Sequence, residues 1–144
     1  MLRRALTLAV SAGIIGRATA VSAQAGDHRQ AIDALVDKFN AAYNSKYAEA
    51  IPALFTEDGI LVAPSPILVG RRAIAENYKG RLDRGFGEFR IQFQHYDPDG
   101  EWAAGGYTVS LPQGGGERRG NVTSIFRRQG GALLIRVHTF NFLS

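Results

Sequence analysis

The feature that most constrains this chain is its second half, where turn residues cut an unbroken apolar alternation into four segments of strand length. Over residues 89–96, Phe89, Ile91, Phe93 and His95 alternate with Arg90, Gln92, Gln94 and Tyr96, which predicts a strand with one covered face. Asp97-Pro98-Asp99-Gly100 is a turn signal; a strand over 102–111 follows, then a Gln113-Gly114-Gly115-Gly116 turn, a strand over 118–128, a Gln129-Gly130-Gly131 turn, and a last strand over 133–142. Strands joined by turns this short must run antiparallel, so the half folds as a meander.

The first half has a different period. Over residues 27–44, Ile32, Leu35, Val36, Phe39 and Tyr43 recur at helical spacing, and Asp27 with Gln30 reads as a capping box at the helix start. A shorter helical piece over 46–55 offers Ile51, Leu54 and Phe55 for burial, with Pro52 in its first turn or kinking it. A short apolar strand at 60–63 ends at Pro64-Ser65-Pro66, and Gly70 releases a third helix over 71–84 that buries Ile74, Tyr78 and Leu82. Helices placed before a meander cover one of its faces, so the class is α+β.

Residues 1–23 read as a secretory signal peptide: Arg3 and Arg4 precede an apolar run over 5–16, and Val21-Ser22-Ala23 offers small residues for cleavage before Gln24. Ala18-Thr19-Ala20 is a second cleavage site, the Arg pair is a weak hint of twin-arginine export, and the run is too short to span a bilayer. The expected domain is therefore 24–144, periplasmic or secreted, with no membrane span once the signal is removed. That removal changes the charge argument: of 17 Lys+Arg against 13 Asp+Glu, the loss of Arg3, Arg4 and Arg17 leaves 14 against 13. A near-neutral domain argues against nucleic acid as a partner, and the Arg pairs at 71–72, 118–119 and 127–128 read as solvated element ends. Absence of cysteine excludes thiolate chemistry and Cys-based metal sites.

In order along the chain, the N-terminal amphipathic helix, "ALFTEDGILVAP", "LVGRRAIAENY", "GGYTVSL" and "GNVTSIFRRQGGALLIRVHTFN" resemble the SnoaL-like branch of the nuclear transport factor 2-like superfamily, especially its small members of unknown function. The resemblance spans nearly all of 24–144; Leu133 and Phe140 stand where relatives usually carry Trp. It implies a cystatin-like cone, a strongly curved antiparallel sheet wrapped around an apolar cavity closed by the N-terminal helices. In that cone, the 60–63 segment would be a short edge strand, and its prolines would keep it from pairing further. Arg71 and Arg72 read as solvating the third helix start.

This superfold carries several activities, so function has to come from the cavity. Ketosteroid isomerase relatives need a carboxylate base inside the cone, and limonene epoxide hydrolase relatives need two acids bracketing an arginine. Here every acid of 24–144 falls at a helix face or start, before a strand, or in the Asp97-Asp99-Glu101 turn. Dehydratase relatives of the scytalone type use histidines with tyrosines around a cavity water. That resemblance marks His95 and His138 as catalytic candidates and Tyr43, Tyr78 and Tyr107 as ligand-binding candidates; Phe140 and Asn141, on the last strand, are added to the ligand-binding set, Asn141 facing the cavity mouth or merely ending the sheet. A lone histidine at a strand end is more often a hydrogen-bonded core or rim residue, and a tyrosine more often a core aromatic with a polar tip. No spacing suggests a metal or a cofactor.

Three functions follow. The first is an exported domain that binds a small apolar or mixed-polarity molecule. The second is a cofactor-free lyase or isomerase of the dehydratase or ketosteroid isomerase type. The third is an association module with a vestigial cavity, its open sheet face (Trp102, Thr108, Ser110, Asn121, Thr123, Ile125) building a homodimer. A deep cavity of mixed polarity would favour the first two; one packed shut by Phe and Tyr would favour the third.

Overall fold

The computed structural model describes residues 15–144, with side chains from residue 22 onward. Helix α1 (Ile15–Asn44) buries Ile32, Leu35, Val36, Phe39, Ala42 and Tyr43 along one stripe, as their spacing demands. It begins well before Asp27, so Asp27 and Gln30 lie inside the helix and cap nothing. Of the signal peptide expected at 1–23, residues 1–14 lie outside the described residues.

Two single 3₁₀ turns, Ala48–Ala50 and Pro52–Leu54, replace the expected second helix, because Pro52 cannot donate the bond that would continue Ala48–Ala50. They lead into strand β1 (Phe55–Val62) and, past the proline loop, into β2 (Leu68–Val69). Helix α2 (Arg71–Asp83) buries Ile74, Tyr78 and Arg81. The remaining strands are β3 (Phe89–Tyr96), β4 (Trp102–Ser110), β5 (Glu117–Gln129) and β6 (Ala132–Phe142), each within a residue or two of its sequence expectation.

All six strands form one curved, unclosed sheet in the order β2-β1-β6-β5-β4-β3. The meander holds for β3 to β6. The segment expected at an edge does not lie there: β1 pairs parallel to β6, and β2 takes the edge beside it. Arg71 ties α2 to this corner, its Nε and Nη2 donating to the Phe55 carbonyl at 2.9 and 2.7 Å while Nη1 meets Glu57. The arginine expected to solvate a helix end is thus a structural strut.

At the other edge, β3 is paired with β4 on one side only, and α1 supplies partners for its outer side. Asn40 and Asn44 are one helical turn apart, which matches the rise between Ile91 and Phe89 on an extended strand. Each amide accepts from a strand N–H and donates to the same residue's carbonyl: Asn40 with Ile91 at 2.9 and 3.1 Å, Asn44 with Phe89 at 2.8 and 2.8 Å. The edge is blunted and α1 is locked in register over the mouth of the sheet.

Candidate functional site

Aromatic side chains from every layer meet under α1. Phe39 and Tyr43 from α1, Tyr78 from α2, Phe89 from β3, Tyr107 from β4, and His138 and Phe140 from β6 form a continuous set with ring centroids 4.9 to 6.1 Å apart. Tyr107 lies across Gly120 of β5, where an added Cβ would come within 2.3 Å of its ring and 2.0 Å of the Asn141 carbonyl. Glycine is required there by the close approach.

Deep in this set, His138 is fully buried and its Nδ1 shares a 2.7 Å hydrogen bond with Ser124 Oγ. Burial holds its pKa down to about 3, so the ring is neutral at physiological pH. Its Nε2 has no partner, and the void beside it, walled by Phe39, Phe93, Phe126 and Ile135, measures about 10 Å³. One water at most fits such a space. The apolar interior is therefore almost filled by its own side chains.

Nearer the mouth, the chemistry changes. The hydroxyls of Tyr43, Tyr78 and Tyr107 are buried without hydrogen-bond partners. Burial raises the pKa of all three, so each remains a neutral phenol with a proton to donate. Arg81 stands among them, 8% exposed, close enough that its charge partly offsets that rise in every one. Its guanidinium carbon lies 4.8 Å from the Phe86 ring centre and 5.7 Å from that of Phe140, while Nε and Nη2 are unpartnered. Among the described residues no carboxylate pairs with it and no acid is buried anywhere. Just outside, a cavity of about 330 Å³ opens between Tyr43, Asn44, Lys46, Leu82, Phe86, Gly87 and Glu88.

The structure thus brings Tyr43, Tyr78, Tyr107, Phe140 and His138 together. His95 and Asn141 are elsewhere. His95 is exposed because β3 carries a bulge: Phe93 faces Gly105 but His95 faces Ala104, so Gln94 is an extra residue and the inward place passes to Tyr96. Tyr96 uses its hydroxyl on Asp33, and desolvation with that bond pushes its pKa up to about 12. Asn141 is exposed on the outer face, its side-chain oxygen accepting the Asn121 N–H at 3.3 Å. A second bulge opposite β5 turns Arg136 away from His138's face and onto Asp58 at 3.2 Å.

Arg81 was not among the expected site residues. Its signal is the run 74, 78, 81, the buried stripe of α2, in which a cation occupies a core position. Among the described residues no group of three His, Asp or Glu side chains could hold a metal ion, and no helix is long and apolar enough to cross a membrane.

A family model described as "SnoaL-like domain" matches residues 36–136. No curated protein matches the chain. Among solved structures, the chain is similar to a ketosteroid isomerase-like protein from Erwinia carotovora atroseptica, at 19% identity over 80% of this chain and 95% of that one, with a TM-score of 0.65. A protein of unknown function with a cystatin-like fold from Methylobium petroleophilum gives 20% identity, 81% and 78% coverage and a TM-score of 0.69. A nuclear transport factor 2-like protein with a cystatin-like fold from Novosphingobium aromaticivorans gives 18%, 93% and 93%, and 0.64. At these identities the likeness is one of fold.

Proposed function

The chain belongs to the SnoaL-like domain family, and we propose that this member is an exported small-molecule-binding protein whose ligand sits at the mouth of the cone. The observation that carries the reading is a set of three buried, unpartnered tyrosine hydroxyls, one of which belongs to Tyr43 on the wall of a cavity of about 330 Å³. Buried polar groups left unmet cost about 1–3 kcal/mol each, and a ligand that meets them recovers that energy on binding. The cavity is of the size small-molecule sites have, whereas the void at His138 is not.

Catalysis by His138 has less support. A general base must reach its proton within a hydrogen bond or through one water, and this imidazole is enclosed by packed side chains and already engaged by Ser124. Among the described residues no carboxylate stands inside to take its place. Export rests on the signal-like residues 1–23; among the side chains of α1 that are described, those of the core begin at Ile32.

Native mass spectrometry of protein recovered from its own cell envelope tests both points. A mature chain starting at Gln24 and carrying a stoichiometric small molecule is expected, with that molecule lost from the Tyr43→Phe/Tyr78→Phe/Tyr107→Phe protein. Ligand-free protein that also shows no chemical-shift change at Leu82 or Phe86 in a fragment screen would overturn the binding reading.

The filled interior favours a second reading, a homodimer built on the outer sheet face. Trp102 and Ile125 are cross-strand partners on that face and are 41% and 46% exposed. This reading is compatible with the first, because the mouth opens on the other side of the sheet.

A further inference from the structure

A guanidinium differs from every other group in this interior because it cannot shed its charge. Imidazole responds to burial by losing its proton, as His138 does, and phenols respond by keeping theirs. Arginine stays cationic in any protein environment, so a buried one must find a counter-charge or pay in stability. Arg81 has none. Asp83, two residues on, pairs with Lys79 at 2.7 Å, and Glu88 on the cavity wall is exposed. Asn77, one turn earlier on α2, has a buried side-chain oxygen that is itself unmet and does not reach Arg81.

What surrounds the guanidinium is a surplus of donors. Arg81 offers Nε–H and Nη2–H and no acceptor, and Tyr43, Tyr78 and Tyr107 each bring a protonated hydroxyl. The Tyr43 hydroxyl feels Arg81 as a hydrogen-bond donor, without a well-formed bond, and a neutral phenol supplies no counter-charge. The missing component is a compact group with several acceptor lone pairs and a negative charge, which describes a carboxylate; its two oxygens match the guanidinium fork. The rest of the ligand would lie against Leu82, Phe86 and the Tyr43 ring, which form the apolar part of the cavity wall.

Resting on the binding reading above, we propose that the cone mouth is an anion site in which Arg81, seconded by Tyr43, Tyr78 and Tyr107, takes the carboxylate of a small flat apolar acid, and that Phe86 is its cover. The Phe86 ring stands over the guanidinium and also lines the cavity, so it separates the two. It sits in a Gly85-Phe86-Gly87 segment, where Gly85 has φ +84°, a conformation that side chains other than glycine rarely adopt. A ring flanked by two glycines can swing aside when an acid arrives. The exchange replaces a cation–aromatic contact with a charge-paired fork.

The probes are 2-naphthoate and its neutral isostere 2-naphthamide, titrated into the intact protein while the Arg81 Nε–Hε resonance is followed by NMR. The acid is expected to bind at least tenfold more tightly than the amide and to shift that resonance. Arg81→Gln should erase the preference, with thermal melting used to confirm that the variant is folded. Phe86→Ala, which uncovers the guanidinium, should keep it. Equal affinity for the two probes, or a preference that survives Arg81→Gln, would overturn the anion site while leaving a neutral binding pocket standing. Failure of both probes to bind the wild type and Phe86→Ala also overturns it, and the mass-spectrometric search for a bound molecule then judges the broader reading alone.

Discussion

Replacing Arg81 by Met should make the free protein more stable. The structure gives the contributions: Nε and Nη2 are two buried donors without partners, and desolvating each costs about 1–3 kcal/mol. Against this stand two cation–aromatic contacts, with Phe86 at 4.8 Å and Phe140 at 5.7 Å, worth about 0.5–1 kcal/mol each. Methionine fills a comparable volume with apolar atoms and keeps contact with both rings. The net gain is about 2 kcal/mol, within the range seen when buried charges are exchanged for apolar residues of similar size. For a domain of roughly 120 residues, an unfolding entropy of about 2.1 cal/mol/K per residue gives about 0.25 kcal/mol/K, so Tm should rise by about 8 °C. Differential scanning calorimetry of ligand-free wild type and Arg81→Met measures it. A fall in Tm of several degrees would refute the reasoning, since the guanidinium would then be satisfied in the free protein.

Three further outcomes are expected. His138 has a folded pKa of about 3 against about 6.5 unfolded, so below pH 6.5 the unfolded chain takes up a proton that the folded one refuses. Stability should be full above pH 6.5 and fall by about 2 kcal/mol by pH 5, and urea melts of His138→Gln should lose most of that slope. Asn44→Ala strips the Phe89 N–H and carbonyl of their partner and should cost about 1–3 kcal/mol, with faster hydrogen exchange at the Phe89 amide; an unchanged amide would show that β3 does not need the clamp. Trp102→Glu, placed opposite Ile125 on the outer face, should convert a dimer into a monomer in sedimentation at micromolar concentration; a monomeric wild type removes the dimer reading.

The parts legible in the sequence were those set by local periodicity. The stripe Ile32–Leu35–Val36–Phe39–Tyr43 and most of the alternation of β3 to β6 follow from the requirement that one face be buried. The parts that escaped depend on partners far along the chain. The bulge that expels His95 sits where β3 crosses Gly105, whose added Cβ would fall 2.2 Å from the Gln92 carbonyl, so the register is decided by a residue on the next strand. The parallel pairing of β1 with β6 joins residues about 80 positions apart, as Phe55 and Ile135 are, beyond any local pattern. Asn40 and Asn44 read as polar residues on a helix flank; only the unpaired edge of β3 gives them a role. In the site, aromatic residues were found because large apolar side chains on buried faces converge by default, whereas Arg81 was passed over because Leu82 beside it satisfied the same helical stripe without placing a charge inside.

The buried charge of Arg81 bears on function. Two polar centres of the interior, the Ser124–His138 pair and Arg81, are treated differently by physics. Ser124 and His138 satisfy one another, the imidazole discards its charge, and the remaining nitrogen borders a void of about 10 Å³. Such a pair can persist in a core for packing alone. Arg81 has no comparable way to lower its cost, because its charge is permanent and the surrounding tyrosines add donors to a place already short of acceptors. A chain required only to fold would be better served there by methionine or leucine, which the stripe of α2 accepts without strain. The persistence of the costly side chain at a core position makes sense when something outside the chain completes its hydrogen bonds, and the cavity beyond Phe86 is where that completion can enter. The melting experiment and the naphthoate titration therefore address one property from two sides: the charge that destabilises the empty protein is the charge that selects its ligand.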